Sequence, residues 1–146
     1  MVNSVREAMT EDPRSIGPSA SVVEAAQLMR DEHIGSLPIT DGNKLVGMIT
    51  DRDITTRVVA EAADLAKTSV GEVYSQDLVS VEPDNDLEDA LTLMARHQVR
   101  RLPVVEDGRL VGIVAQADIA LTLRENEQKT GELVEAISER SEGERR

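Results

Sequence analysis

Thr50-x-x-Asp53, inside GMITDRD at 47–53, is the spacing in this chain most suited to chemistry. A hydroxyl followed three residues later by a carboxylate, where an apolar run gives way to a polar one, serves either of two purposes, which do not exclude each other. It closes a helix cap, the Thr oxygen accepting a main-chain N–H while the carboxylate favours the positive helix end. Or it holds a ligand: a carboxylate accepts through two oxygens, which suits a vicinal sugar diol, and the hydroxyl with the free N–H groups of a helix start faces phosphate or sugar. The same frame recurs as GIVAQAD at 112–118, with Asp118 kept and Ala115 where the Thr stood. Ala115 can neither cap nor contact a phosphate, so the second copy keeps its carboxylate without the hydroxyl. The pair Arg100-Arg101 stands out in an acidic chain. Arginine has the fork geometry for phosphate, and the competing role is pairing with surface Asp or Glu.

Other chemistries find little support. There is no cysteine, which excludes disulfides, thiol catalysis and Cys-ligated zinc. His33 and His97 have no His or Cys at metal-ligand spacing, so no metal site is expected. No Ser/His/Asp set and no paired-carboxylate cleft with a candidate base is present; no catalytic residues are assigned and the expectation is that the protein is not an enzyme.

These residues are positioned by an internal repeat. Residues 5–57 laid on 70–122 match at 15 of 53 positions without a gap. The matches form words, SLPIT over RLPVV and KLVGMITDRDI over RLVGIVAQADI. Each copy predicts the same order. A short extended piece (RSIG or VSV) comes first, then a helix start, Ser21 with Glu24 as a capping box and Asp86 with Asp89 as a weaker one. Apolar residues follow at helical spacing: Val22, Ala26 and Met29, then Leu87, Leu91 and Met94. Two apolar runs around an Asp-Gly turn read as a hairpin. A second helix follows, at about 51–64 and about 116–124. The expected organisation is repeat 1 at 1–61, a linker at 62–69, repeat 2 at 70–123 and a charged tail at 124–146. The tail carries one small amphipathic cluster, Leu133, Val134 and Ile137, that predicts a short helix. A unit this small leaves an apolar sheet face uncovered, so the fold expected is α/β (α+β), two β-α-β-β-α repeats packed face to face about a pseudo-twofold axis.

Composition narrows the partners. The chain has 146 residues, formal charge −12, no Phe, no Trp and one Tyr, Tyr74. Its core must be aliphatic. Net charge of this sign argues against nucleic acid and anionic membranes as partners. No apolar run approaches transmembrane length and the N-terminus lacks a signal-like apolar region, so a cytoplasmic protein is expected.

The two copies resemble a tandem pair of CBS domains. The repeat order, the Leu-Pro steps at Leu37-Pro38 and Leu102-Pro103, and the G-h-h-T-x-x-D ending carry the resemblance over about residues 2–123. It implies a binding module with two clefts between the repeats, commonly a homodimer. The clefts often take AMP, ADP, ATP, S-adenosylmethionine or NAD(H), with no tightly required cofactor. By that resemblance Asp118 and Arg101, with Arg100 beside them, share one cleft with Ser15, Ile34 and Pro38. Thr50 and Asp53 share the other with Ser80, Val99 and Pro103. Ile34 and Val99 would flank adenine, and core or rim packing is the competing reading for each apolar residue. Ala115 departs from the family pattern, which puts phosphate contacts in that cleft in doubt and leaves the sugar contact untouched. Two functions follow: a regulatory sensor of an adenosine-containing ligand, or a scaffold with vestigial clefts acting on an unknown protein partner.

Overall fold

Each repeat opens its first long helix on a capped residue. In the computed structural model, which describes residues 3–75 and 78–145 (backbone alone for 130 and 132–145), Ser21 Oγ accepts from Glu24 N at 3.1 Å ahead of α2 (Val22–Glu32). Asp86 accepts from Glu88 N at 3.1 Å, not from Asp89, ahead of α5 (Leu87–His97). Both helices end on a left-handed residue, His33 (φ 55°) and Gln98 (φ 54°), 65 positions apart. That turn lets Ile34 N reach Met29 O and Val99 N reach Met94 O, each at 3.0 Å, satisfying carbonyls the helix leaves open.

The inward stripe on these helices corrects the expected one. Val22, Ala25 and Met29 are buried, and so are Leu87, Ala90 and Met94; Ala26 is exposed and Leu91 half-buried. Positions i, i+3 and i+7 are the buried ones; at i+4, Ala26 faces outward and Leu91 packs on the margin of the repeat-2 core.

Two hairpins follow the helices. β2 (Ser36–Asp41) pairs with β3 (Lys44–Thr50), and β4 (Arg101–Glu106) with β5 (Arg109–Ala115), each with a register shift at the equivalent step, Ile39/Thr40 and Val104/Val105. The turns need left-handed backbone at Gly42 (φ 62°) in the first, and at Asp107 (φ 54°) and Gly108 (φ 77°) in the second, which Gly and Asp supply at low cost. Pro38 and Pro103 sit inside β2 and β4, where a missing N–H would normally break a ladder. Their outer edge carries only one parallel bridge each, Ile16 to Ile39 and Val81 to Val104. In those bridges the proline carbonyls accept, from Ile16 N at 3.0 Å and Val81 N at 3.1 Å, so no proline N–H is required. The expected first strand of each repeat is thus a single bridge.

The repeats join reciprocally. Lys44 pairs with Arg109, flanked by Leu45 N to Gly108 O at 3.1 Å and Leu110 N to Asn43 O at 2.9 Å. The short β1 (Thr10–Glu11) pairs with β5 of the other repeat, and Ser75 bridges Met48 in the equivalent place. The short helices cross over as well. From α1 (Val5–Ala8), Val5 and Ala8 are buried with Val81, Leu87, Met94, Leu102, Val104, Val114 and Ile119 of repeat 2. From α4 (Val70–Val73), Val70 and Val73 are buried with Val22, Met29, Leu37, Ile39, Ile49 and Val58 of repeat 1. Both cores are aliphatic, as the composition requires.

The second helices differ. In repeat 1, α3 (Asp51–Ile54) passes at once into a π-helical stretch, Thr55–Val59, and stops in a turn where Ala62 has φ 53°. Thr55 and Thr56 hydroxyls donate to Asp51 O at 2.9 Å and Arg52 O at 2.8 Å, competing for carbonyls of the helix ladder. In repeat 2 there is no such interruption. α6 runs from Gln116 to Arg145, so the second helix and the helix expected in the tail are one element. The side chains of Leu133, Val134 and Ile137 lie outside the described residues. No helix among the described residues is long and apolar enough to cross a membrane.

Candidate functional site: a cleft between the repeats

Thr50 and Asp53 form a reciprocal capping box at the start of α3. Thr50 Oγ1 accepts from Asp53 N at 3.0 Å, and Asp53 Oδ2 accepts from Thr50 N at 2.9 Å. Asp53 is only 8% exposed. Its other oxygen lies 3.8 Å from Arg57 Nε, and the same guanidinium donates to Tyr74 O at 3.0 Å and Val73 O at 3.4 Å. Of the two chemistries open to this spacing, the cap is therefore made.

Asp118 is placed differently. It stands in the first turn of α6, exposed, and its carboxylate has no hydrogen-bond or ion-pair partner among the described residues. Ala115 offers no side-chain cap; Gln116 N donates to Arg100 O at 2.8 Å, as Asp51 N does to Gly35 O at 2.9 Å in repeat 1.

Asp118 opens onto a cleft of about 360 Å³ between the repeats. Ile34 and Pro38 come to it from repeat 1, Arg101 and Asp118 from repeat 2. Arg101 is half-buried at the start of β4 and makes no ion pair among the described residues. Of the six residues grouped on this side, four line the cleft. Ser15 does not line it; its Oγ accepts from Thr40 Oγ1 at 3.2 Å. Arg100 is exposed and likewise outside the lining.

Sequence reasoning missed the contribution of the β1 crossover. Thr10, Asp12, Pro13 and Arg14 line the cleft because β1 pairs with β5 of the other repeat. A two-residue strand carries no periodicity, so nothing in the sequence signals that crossing. Glu32 enters from the last turn of α2 and pairs with Arg14 at 3.2 Å. On the other side, Pro103 is buried in β4, Ser80 half-buried and Val99 exposed. They correspond, 65 positions on, to Pro38, Ser15 and Ile34. Gln76 and Asp77, the counterparts of Glu11 and Asp12, fall outside the described residues. His33 and His97 are exposed, and no group of three or more His, Asp or Glu side chains able to hold a metal occurs among the described residues.

A reciprocal pair of β-α-β-β-α repeats with a composite cleft between them defines a two-repeat module, and comparison with known proteins places it in a family. The CBS domain model matches residues 5–60 and again 70–125. The chain belongs to the CBS-domain family. It is 44% identical over 126 residues to the CBS domain-containing protein YhcV of Bacillus subtilis, covering 86% of this chain and 89% of that one. It is 38% identical over 126 residues to Hypoxic response protein 1 of Mycobacterium tuberculosis, covering 86% and 88%. Among solved structures it is similar to the CBS domain pair of MJ0100 in complex with 5′-methylthioadenosine and S-adenosyl-L-methionine (27% identity, TM-score 0.74, covering 86% of this chain and 99% of that one). It is also similar to CBSX2 in complex with AMP (27% identity, TM-score 0.72, covering 85% and 98%).

Proposed function

We propose that this protein is a non-enzymatic regulatory module, working as a cytoplasmic homodimer, that binds an adenosine-containing ligand between its repeats. The observation that carries the reading is the Asp118 carboxylate, without a partner among the described residues, beside Ile34, Pro38 and Arg101 in a cleft lined from both repeats. In this reading Asp118 accepts from the ribose hydroxyls, Ile34 and Pro38 pack on the adenine, and Arg101 meets the 5′ substituent. Solved neighbours of the same fold in complex with AMP, and with methylthioadenosine and S-adenosylmethionine, support the ligand class. Because the lining comes from two repeats, an occupant bridges them, and occupancy shifts the module toward the arrangement that binds it better.

The test is calorimetry on ligand-stripped protein with adenosine ligands, for wild type, Asp118→Ala and Asp53→Ala. The reading expects binding to wild type that Asp118→Ala abolishes. Absence of binding to any of them points instead to the scaffold function.

A further inference from the structure

Resting on the adenosine reading of this cleft, we propose that it is selective at the phosphate end. It accepts a nucleoside carrying at most one phosphate and rejects di- and triphosphates. AMP and S-adenosylmethionine remain as ligands of this cleft; ADP, ATP and NAD(H) do not.

The first ground is the charge of the lining. Three carboxylates face the cleft from three separate elements: Asp12 from the turn after β1, Glu32 from the end of α2 and Asp118 from the start of α6. Among the described residues, two guanidiniums line the cleft to oppose them, Arg14 and Arg101. Arg14 is already held by Glu32 at 3.2 Å. That pair is exposed and exchanges readily. If Arg14 turned to a phosphate, Glu32 would be left as an uncompensated anion at the same mouth, so exchange gains little. Among the described residues of the lining, Arg101 is the one cation outside an ion pair, so it can meet one phosphate. Each further phosphate adds negative charge where the described lining offers no second unpaired cation and two further carboxylates, Asp12 and Glu32.

The second ground is the helix terminus. The N-terminal turn of α6 is where backbone N–H groups would otherwise draw a phosphate chain. Here Ala115 supplies no hydroxyl, Gln116 N is already bonded to Arg100 O at 2.8 Å, and Asp118 places its own carboxylate in that turn.

Calorimetric titration of adenosine, AMP, ADP and ATP into the stripped full chain, in buffer free of divalent cations, tests this. Wild type should bind adenosine and AMP, with ADP weaker and ATP weaker than AMP by about tenfold or more. The double variant Asp12→Asn with Glu32→Gln should bring ATP to within roughly threefold of AMP, because it removes the like-charge repulsion and releases Arg14 from Glu32. Both sites are exposed, and Asn tolerates the left-handed backbone (φ 50°) of Asp12, so the variant keeps its fold. ATP binding as tightly as AMP to wild type, or an ATP deficit unchanged in the double variant, overturns the selectivity while leaving the adenosine reading intact. Failure of all four to bind overturns that reading and this inference with it.

Discussion

Asp53 and Asp118 occupy the same place in their repeats and have diverged in what surrounds them. Asp53 closes the α3 cap with the Thr50 and Asp53 backbone and faces Arg57; among the described residues Asp118 has no hydrogen-bond or ion-pair partner. The difference separates stability from binding at single-residue resolution. Thr50→Ala and Asp53→Ala should each lower stability by about 1 kcal/mol, the usual worth of an N-terminal cap, read as a lower urea midpoint. Asp118→Ala should stay within about 0.5 kcal/mol of wild type, as exposed substitutions do, and lose the adenosine ligand. A ligand-binding loss in Asp53→Ala larger than in Asp118→Ala would contradict that division.

Among the elements, the hairpins and the long first helices are where sequence and structure agree most closely. Leu-Pro, Asp-Gly and Leu-Val-Gly recur in register, and such residues mean something locally: a turn chemistry, a period, a missing N–H. What stayed hidden has no local signal. The β1 crossover rests on two residues, the inward choice of Ala25 over Ala26 rests on what packs opposite, and the break at Thr55 rests on hydroxyls bonding back into the helix. For the same reason Asp118, Arg101, Ile34 and Pro38 were legible as members of one cleft through the repeat and its family resemblance, whereas Asp12, Arg14 and Glu32 were not. Gly47 shows how tight the strand-level fit is. A Cβ there would run into the ring of Tyr74, whose backbone is held by Arg57. Gly47→Ala should therefore cost about 1–3 kcal/mol by overpacking, and the tyrosine fluorescence of the folded protein should change, since Tyr74 is the only aromatic residue.

At the scale of the whole molecule, each core is completed by a helix from the other repeat. The two repeats should then unfold together. Tyr74 fluorescence reports repeat 1, and far-ultraviolet dichroism reports both. Their urea transitions should coincide, as two-state behaviour requires. Leu102→Ala, in the core of repeat 2, should lower both midpoints equally, with a cost of about 2–5 kcal/mol. A dichroism transition that moves while the fluorescence transition stays would show the repeats to be independent.

The crossing of α1 and α4 has a consequence for how such a chain arises. Two separate single-repeat chains that exchanged their leading helices would make the same pair of cores, which is a domain-swapped dimer. Residues 62–69 then serve as a tether that raises the effective concentration of one repeat near the other. A chain nicked within that segment should keep its size on gel filtration, each fragment's core still holding the other's helix, and come apart only on denaturation.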